Sequence, residues 1–219
     1  MYGNCTVYAV YFPTTCGGLF EAAKQIAGFV NQLPAGREIV LNGHSKCGCC
    51  FITAAHYILR TCTIVSVSAP LRGTPTADLQ NFPQKLSWLI RRLYLWIFSD
   101  HSVDRDIIPG SEFLRKLQAL LPEVSEKHNL HLVISRCGIS PNPLDWVLWI
   151  LDKLMEIGGD GIVPYAAQFP EGTPVPESGE EPTKIDGICY HYVRKSHATS
   201  LSGSLKCLLW LKRYLRKQT

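Results

Sequence analysis

Long apolar runs are missing from this chain of 219 residues. A membrane-spanning helix needs about 18 or more uninterrupted apolar residues. The nearest approach, Leu86 to Phe98, is broken by Arg91 and Arg92. The stretch Met1 to Phe12 has neither the basic start nor the cleavage pattern of a secretory leader. Charge is scarce at 18%, against 46% hydrophobic residues, which excludes disorder and leaves ample material for a core. With 17 Gly and 14 Pro, the chain is neither collagen-like nor a linker.

Acidic residues are absent from Gly187 onward, where seven basic ones occur (Arg194, Lys195, Lys206, Lys212, Arg213, Arg216 and Lys217), leaving 15 basic against 18 acidic elsewhere. A basic tail of this kind suits an anionic surface. The expectation is peripheral contact with an anionic membrane through a C-terminal helix, and no nucleic-acid partner. A solvated helix face, with cations suiting a helix C-terminus, is the plainer alternative. The nine cysteines are odd in number, and Cys47, Cys49 and Cys50 crowd together. Without a leader, free thiols in a reducing, cytoplasmic setting are expected. Zinc ligands come as separated pairs and no second Cys/His pair is evident, so no metal is expected.

Strand-like and helix-like segments alternate. Cys5–Phe12, Glu38–Leu41, Thr63–Val67, Leu130–Ser135 and Ile185–Val193 read as strands. Leu19–Leu33, Lys46–Leu59, a stretch near Glu112–Leu121, Trp146–Met155 and Leu201–Lys217 read as helices. In the last, Leu205, Leu208, Leu209 and Leu215 face inward. Trp146, Trp149 and Ile150 recur at helical spacing. Pro170–Pro182 is an acidic, proline-rich loop. The order predicts an α/β protein with a mostly parallel sheet of about five strands flanked by helices. Residues 1–219 form one domain, with residues 77–127 as a helical cap inserted in it.

Gly43-His44-Ser45-Lys46-Cys47-Gly48 lies between a strand and a helix, the setting of a nucleophile elbow. Such a turn lifts the Ser45 hydroxyl above the sheet edge, and the Lys46 backbone N–H can face a developing oxyanion. Read alone, Ser45 is equally a helix N-cap. With Ser68-Ala69-Pro70-Leu71-Arg72-Gly73-Thr74-Pro75 and Gly159-Asp160-Gly161-Ile162-Val163-Pro164, the chain resembles the lipase branch of the α/β-hydrolases over about Cys5 to His197. Cys47 stands where that family usually has glycine. The resemblance implies a Ser-Asp-His order, met by Ser45, Asp160 and His197.

His191 is the rival base, flanked by aromatics in a strand. Asp145 and Asp186 are rival acids, although Asp145 also reads as a helix start. Asp78, Asp100, Asp104 and Asp106 fall in the insertion. His44 packs beneath the elbow, and His56 is structural. Leu89, Leu93 and Trp96, with Leu86, Trp88, Tyr94 and Phe98, would line an acyl pocket under the cap; a core helix is the competing reading.

The implied activity is a serine ester hydrolase acting on an acyl-ester or lipid substrate through an acyl-enzyme, with no cofactor. An acyltransferase on the same triad, or a non-catalytic binding module, are the other readings. Relative to the family, Cys5–Phe12 corresponds to a fourth strand, while the third strand and its oxyanion loop have no counterpart. Either the protein begins upstream, or Cys5–Phe12 moves in to pair with Glu38–Leu41. In that second case five parallel strands remain, with Ile185–Val193 at the far edge and one oxyanion donor.

Overall fold

The computed structural model describes residues 6–10, 18–77, 105–138, 143–154, 157–176 and 181–197. Its elements, in chain order, are α1 (Gly18–Gln32), β1 (Val40–His44), α2 (Lys46–Tyr57), β2 (Thr63–Val67), α3 (Glu112–Lys127), β3 (Asn129–Arg136), α4 (Pro143–Leu154), β4 (Thr183–Ile185) and β5 (Ile188–Arg194). The five strands form one sheet in the order β1-β2-β3-β5-β4. All neighbours are parallel except β4 and β5.

Alternation along the strands divides the sheet into two buried faces. Ile64, Leu130, Leu132, Ile134 and Tyr190 join α1, α2 and α3 in the main core. Val65, Val67 and Val133 pack on the opposite face. Because both faces of β2 are buried, it reads as a continuous apolar run rather than an alternating one. Helix α1 buries Leu19, Ala22, Ala23, Ile26, Ala27 and Val30 at helical spacing. Asp106 accepts the Leu19 N–H at 2.7 Å and so caps that helix from a distant segment. This is the role of one carboxylate from the insertion; Asp78, Asp100 and Asp104 lie outside the described residues.

Several expectations need correction. Residues 6–10 belong to no strand, and Val7 is 81% exposed. Tyr8 instead packs edge-on against Phe29 of α1, with ring centroids 5.2 Å apart. A β-rich composition makes a strand only where a partner strand and a face to bury exist, and among the described residues this segment joins no strand of the sheet. Among the described residues β1 is paired with β2 alone.

The run Ile185–Val193 is not one strand but a hairpin, with Ile185 opposite Ile188. Asp186 and Gly187 both have positive φ, 49° and 80°, as a two-residue Asp-Gly hairpin loop requires. The far edge of the sheet is therefore the antiparallel β4, and Asp186 is an exposed turn residue rather than an acid of the site.

Helix α3 runs past Leu121 and Pro122 to Lys127, and buries Phe113, Leu114, Leu117, Leu121 and Val124 in the main core. Of the expected cap, residues 78–104, which include Leu86, Trp88, Leu89, Leu93, Tyr94, Trp96 and Phe98, lie outside the described residues, as does the stretch 201–217.

Candidate active site

Strand β1 delivers Ser45 directly into α2. Ser45 has φ 55° and ψ −131°, a strained backbone for a side-chain-bearing residue that costs about 1–3 kcal/mol. Its N–H still donates to the Val67 carbonyl at 2.8 Å, continuing the ladder with β2. Its side chain makes no capping hydrogen bond to α2, so the hydroxyl does not act as a helix cap. The turn is tight because Gly43 has no side chain: a Cβ there would lie 2.6 Å from the Cys47 carbonyl oxygen and 2.7 Å from the Phe51 ring. At Gly48 a Cβ would run into the Ser66 hydroxyl and come within 3.0 Å of Ala69. Cys47 itself is partly exposed at this turn.

His197 and Asp160 lie together. The imidazole Nδ1–H donates to Asp160 Oδ2 at 2.8 Å, and the His197 backbone N–H donates to the Asp160 carbonyl at 2.9 Å. Asp160 is fully buried. Its carboxylate is held by four donors: the Ile162 and Val163 N–H groups reach Oδ1 at 3.1 and 2.8 Å, and the Ser135 hydroxyl and His197 reach Oδ2. Ser135 Oγ, 2.9 Å from that oxygen, also bonds to the Ser68 hydroxyl. Gln168 exchanges hydrogen bonds with both the N–H and the carbonyl of Ser135, each at 2.8 Å. A buried carboxylate so surrounded is fixed in direction as well as in place.

Helix α4 supports both loops. Asp145, Leu148 and Asp152 are buried and lie at i, i+3 and i+7, on one helix face. Asp145 accepts from the Ser196 hydroxyl, one residue before His197. Leu148 packs against Gly161, where a Cβ would come within 2.9 Å of it. Asp152 accepts the Gly159 N–H at 2.7 Å. Burial raises the Asp152 pKa, opposed by that backbone bond. Trp146 and Ile150, on the reverse face, are each 46% exposed. Asp145, the rival acid, thus meets Ser196.

The other candidates separate as follows. His191 stacks on His131 of the neighbouring strand, with Nδ1 of His131 3.0 Å from Nε2 of His191. Burial lowers the pKa of both rings, that of His191 to about 4. His56 meets Glu123 at 2.9 Å on the surface between α2 and α3. His44 is half-buried and its pKa is lowered to about 4, first by burial and then by His197. Burial and the carboxylates of Asp152, Asp160 and Asp145 push the Cys137 thiol well up, which keeps it protonated and unreactive. Among the described residues no group of three or more His, Cys, Asp or Glu side chains could hold a metal ion, and no helix is long and apolar enough to cross a membrane.

Sequence reasoning did not reach Ser135, Gln168, Asp152 and Ser196. Their spacing from Asp160 and His197 carries no local pattern, because strand register and helix face bring them there. The one available signal was Ser135 at the C-terminal end of a strand, where α/β sheets build their sites.

No protein-family profile matches the chain, and no curated protein does so. Among solved structures it is similar to the mature form of the Bacillus licheniformis lipase BlEst2, with a TM-score of 0.57 and 16% identity over 89% of this chain and 74% of that one. The propeptide form of BlEst2 aligns with a TM-score of 0.40 and 18% identity over 69% and 32% of the two chains. The likeness to the mature form is one of architecture: a mostly parallel sheet flanked by helices, in a lipase-like hydrolase fold.

Proposed function

We propose that this chain is a serine ester hydrolase in which Ser45 is the nucleophile, His197 the general base and Asp160 the residue that orients it. The observation that carries the reading is the His197–Asp160 bond of 2.8 Å beside a strained serine at a strand-to-helix turn. Backbone strain at a serine whose side chain caps nothing has a natural explanation in exposure of a nucleophile. His44, the residue before Ser45, bonds to the His197 carbonyl at 3.1 Å, which brings base and nucleophile to the same end of the sheet.

In the reaction, Ser45 Oγ attacks the acyl carbon as its proton passes to Nε2 of His197. The Nδ1–H of the resulting imidazolium stays on Asp160, whose negative charge stabilises it. The imidazolium then protonates the departing alcohol, leaving an acyl-serine. Water, activated by the same ring, releases the acid and regenerates Ser45. The Lys46 N–H, in the first turn of α2, is the oxyanion donor of this scheme.

The test is labelling with a fluorophosphonate probe. Covalent modification at Ser45 and its loss in Ser45→Ala support the scheme; an unlabelled protein that is folded and binds ligands would favour a non-catalytic module. An acyl-enzyme that partitions to an added alcohol in preference to water would identify an acyltransferase.

A further inference from the structure

We infer that His44 is a positioning residue that ties the base loop to the nucleophile elbow, donating its Nε2–H to the main-chain carbonyl of His197. The inference rests on the hydrolase reading above and deepens it, giving the contact between His44 and His197 a defined part in catalysis. Three observations meet at this position. His44 Nε2 lies 3.1 Å from the His197 carbonyl oxygen. The two imidazole rings are tilted together, with centroids 4.5 Å apart and planes at 54°. His44 is also the last residue of β1, and the Ser45 N–H that follows is fixed to Val67 at 2.8 Å, so the histidine projects from a rigid strand end.

A carbonyl can only accept, so Nε2 must carry the proton and Nδ1 must not. A half-buried ring whose pKa is driven down by burial and by its neighbour is neutral at working pH, and the tautomer is thereby fixed. The His197 peptide is then bracketed on both sides. Its N–H is bound to the carbonyl of Asp160, and its carbonyl is bound to the residue preceding Ser45. The loop that carries His197 is thereby held at one end to the Asp160 backbone and at the other to the residue preceding Ser45. Neutrality of His44 matters for a second reason: a cation 4.5 Å from His197 would oppose the imidazolium that forms when Ser45 gives up its proton.

Glutamine can place an amide N–H near the position of imidazole Nε2, whereas asparagine is too short and leucine has no donor. The experiment compares His44→Gln, His44→Asn and His44→Leu by labelling rate and by kcat and KM on an aryl ester. It also takes the imidazole 15N spectrum of the unaltered protein. The inference expects His44→Leu and His44→Asn to lose tenfold or more in kcat with KM within about twofold, and His44→Gln to recover most of the loss. It also expects the His44 signals of a neutral ring protonated at Nε2. Equal activity in all three variants, or equal loss in Gln and Leu variants that both fold, overturns it. So does an Nδ1-protonated His44, even if one of the variants fails to fold. If the unaltered protein takes no fluorophosphonate label while His44 shows the expected tautomer, the hydrolase reading fails and the catalytic role of His44 falls with it.

Discussion

Thr74 donates its hydroxyl to the Ile162 carbonyl at 2.6 Å, joining positions 88 residues apart. Arg72, two residues earlier, donates through Nε to the Phe169 carbonyl at 3.0 Å and through Nη2 to that of Pro170 at 2.5 Å. The segment after β2 is therefore clamped both to the Gly159–Pro164 loop, which carries Asp160, and to Phe169 and Pro170 beyond it. Replacing Thr74 by Val removes the shorter of two hydroxyl bonds to that Ile162 carbonyl, which Thr76 also reaches at 3.3 Å, at a cost of about 1 kcal/mol. The expected outcome is a lower thermal midpoint together with reduced ester turnover. A Thr74→Val protein of unaltered stability and activity would show that the clamp is incidental.

Exchanging the two buried carboxylates one at a time separates them. Asp160→Asn should lower kcat by about 10⁴, because the amide cannot hold the imidazole in the same tautomer. Asp145→Asn keeps an oxygen that can accept from Ser196, and should cost about tenfold or less. Steady-state kinetics on one aryl ester decides this; the reverse ranking would make Asp145 the working acid.

Ser45→Gly should abolish turnover yet stabilise the fold. Glycine adopts positive φ without the penalty a side chain brings. Relief of about 1 kcal/mol should raise the thermal midpoint by about 2–4 °C in a domain of this size. A midpoint at or below that of the unaltered protein would argue against stored strain at the elbow.

Stability should fall as pH drops below neutrality. His44 and His191 have folded pKa values of about 4 against an ordinary 6.5. Between those values the unfolded chain holds protons that the folded chain refuses, so stability rises with pH across the window and levels off above 6.5. Urea midpoints at pH 5 and pH 7 should differ in that direction, and His191→Asn should flatten the slope. A midpoint independent of pH, or one higher at pH 5, would contradict this.

Gly43→Ala places a methyl group against the Cys47 carbonyl and the Phe51 ring. Neither can retreat without moving the first turn of α2, so a loss of about 1–3 kcal/mol is expected. Fluorophosphonate labelling should slow as well, because the strain bears on residues flanking Ser45.

The elbow and the Asp160 loop stand out in the chain because each is a short string bounded by glycines, and glycine marks places where backbones pass closely; His197 has no such flank and is legible only as the histidine that follows the last strand. The parallel strands were legible for a similar reason: β2 is apolar at every position but Thr63 and Ser66, and it is buried throughout. What was lost has physical causes. The Asp186-Gly187 pair is a strong hairpin signal, yet it is embedded in a mostly apolar run that has the composition of a single strand. Helix α4 carries Trp146 and Ile150 outward and Asp145 and Asp152 inward, the inverse of an ordinary amphipathic surface helix. Its inner face satisfies loop hydrogen bonds rather than a greasy core. No rule of hydrophobic periodicity reports that inversion. At the N-terminus, residues 6–10 have the composition of a strand, yet among the described residues they join no strand of the sheet.

The hairpin at the end of the sheet also bears on how copies of this protein tolerate one another. Strand β5 is long and aromatic, running from Ile188 to Arg194, and an open row of amides along its outer side would template a second chain. β4 occupies that side with three residues centred on Lys184, paired with Cys189. A short antiparallel strand bearing a cation is a poor template for further pairing. Cutting away residues 183–187 should therefore turn a well-behaved flank into a site of edge-to-edge aggregation, even with every residue around Ser45 left in place.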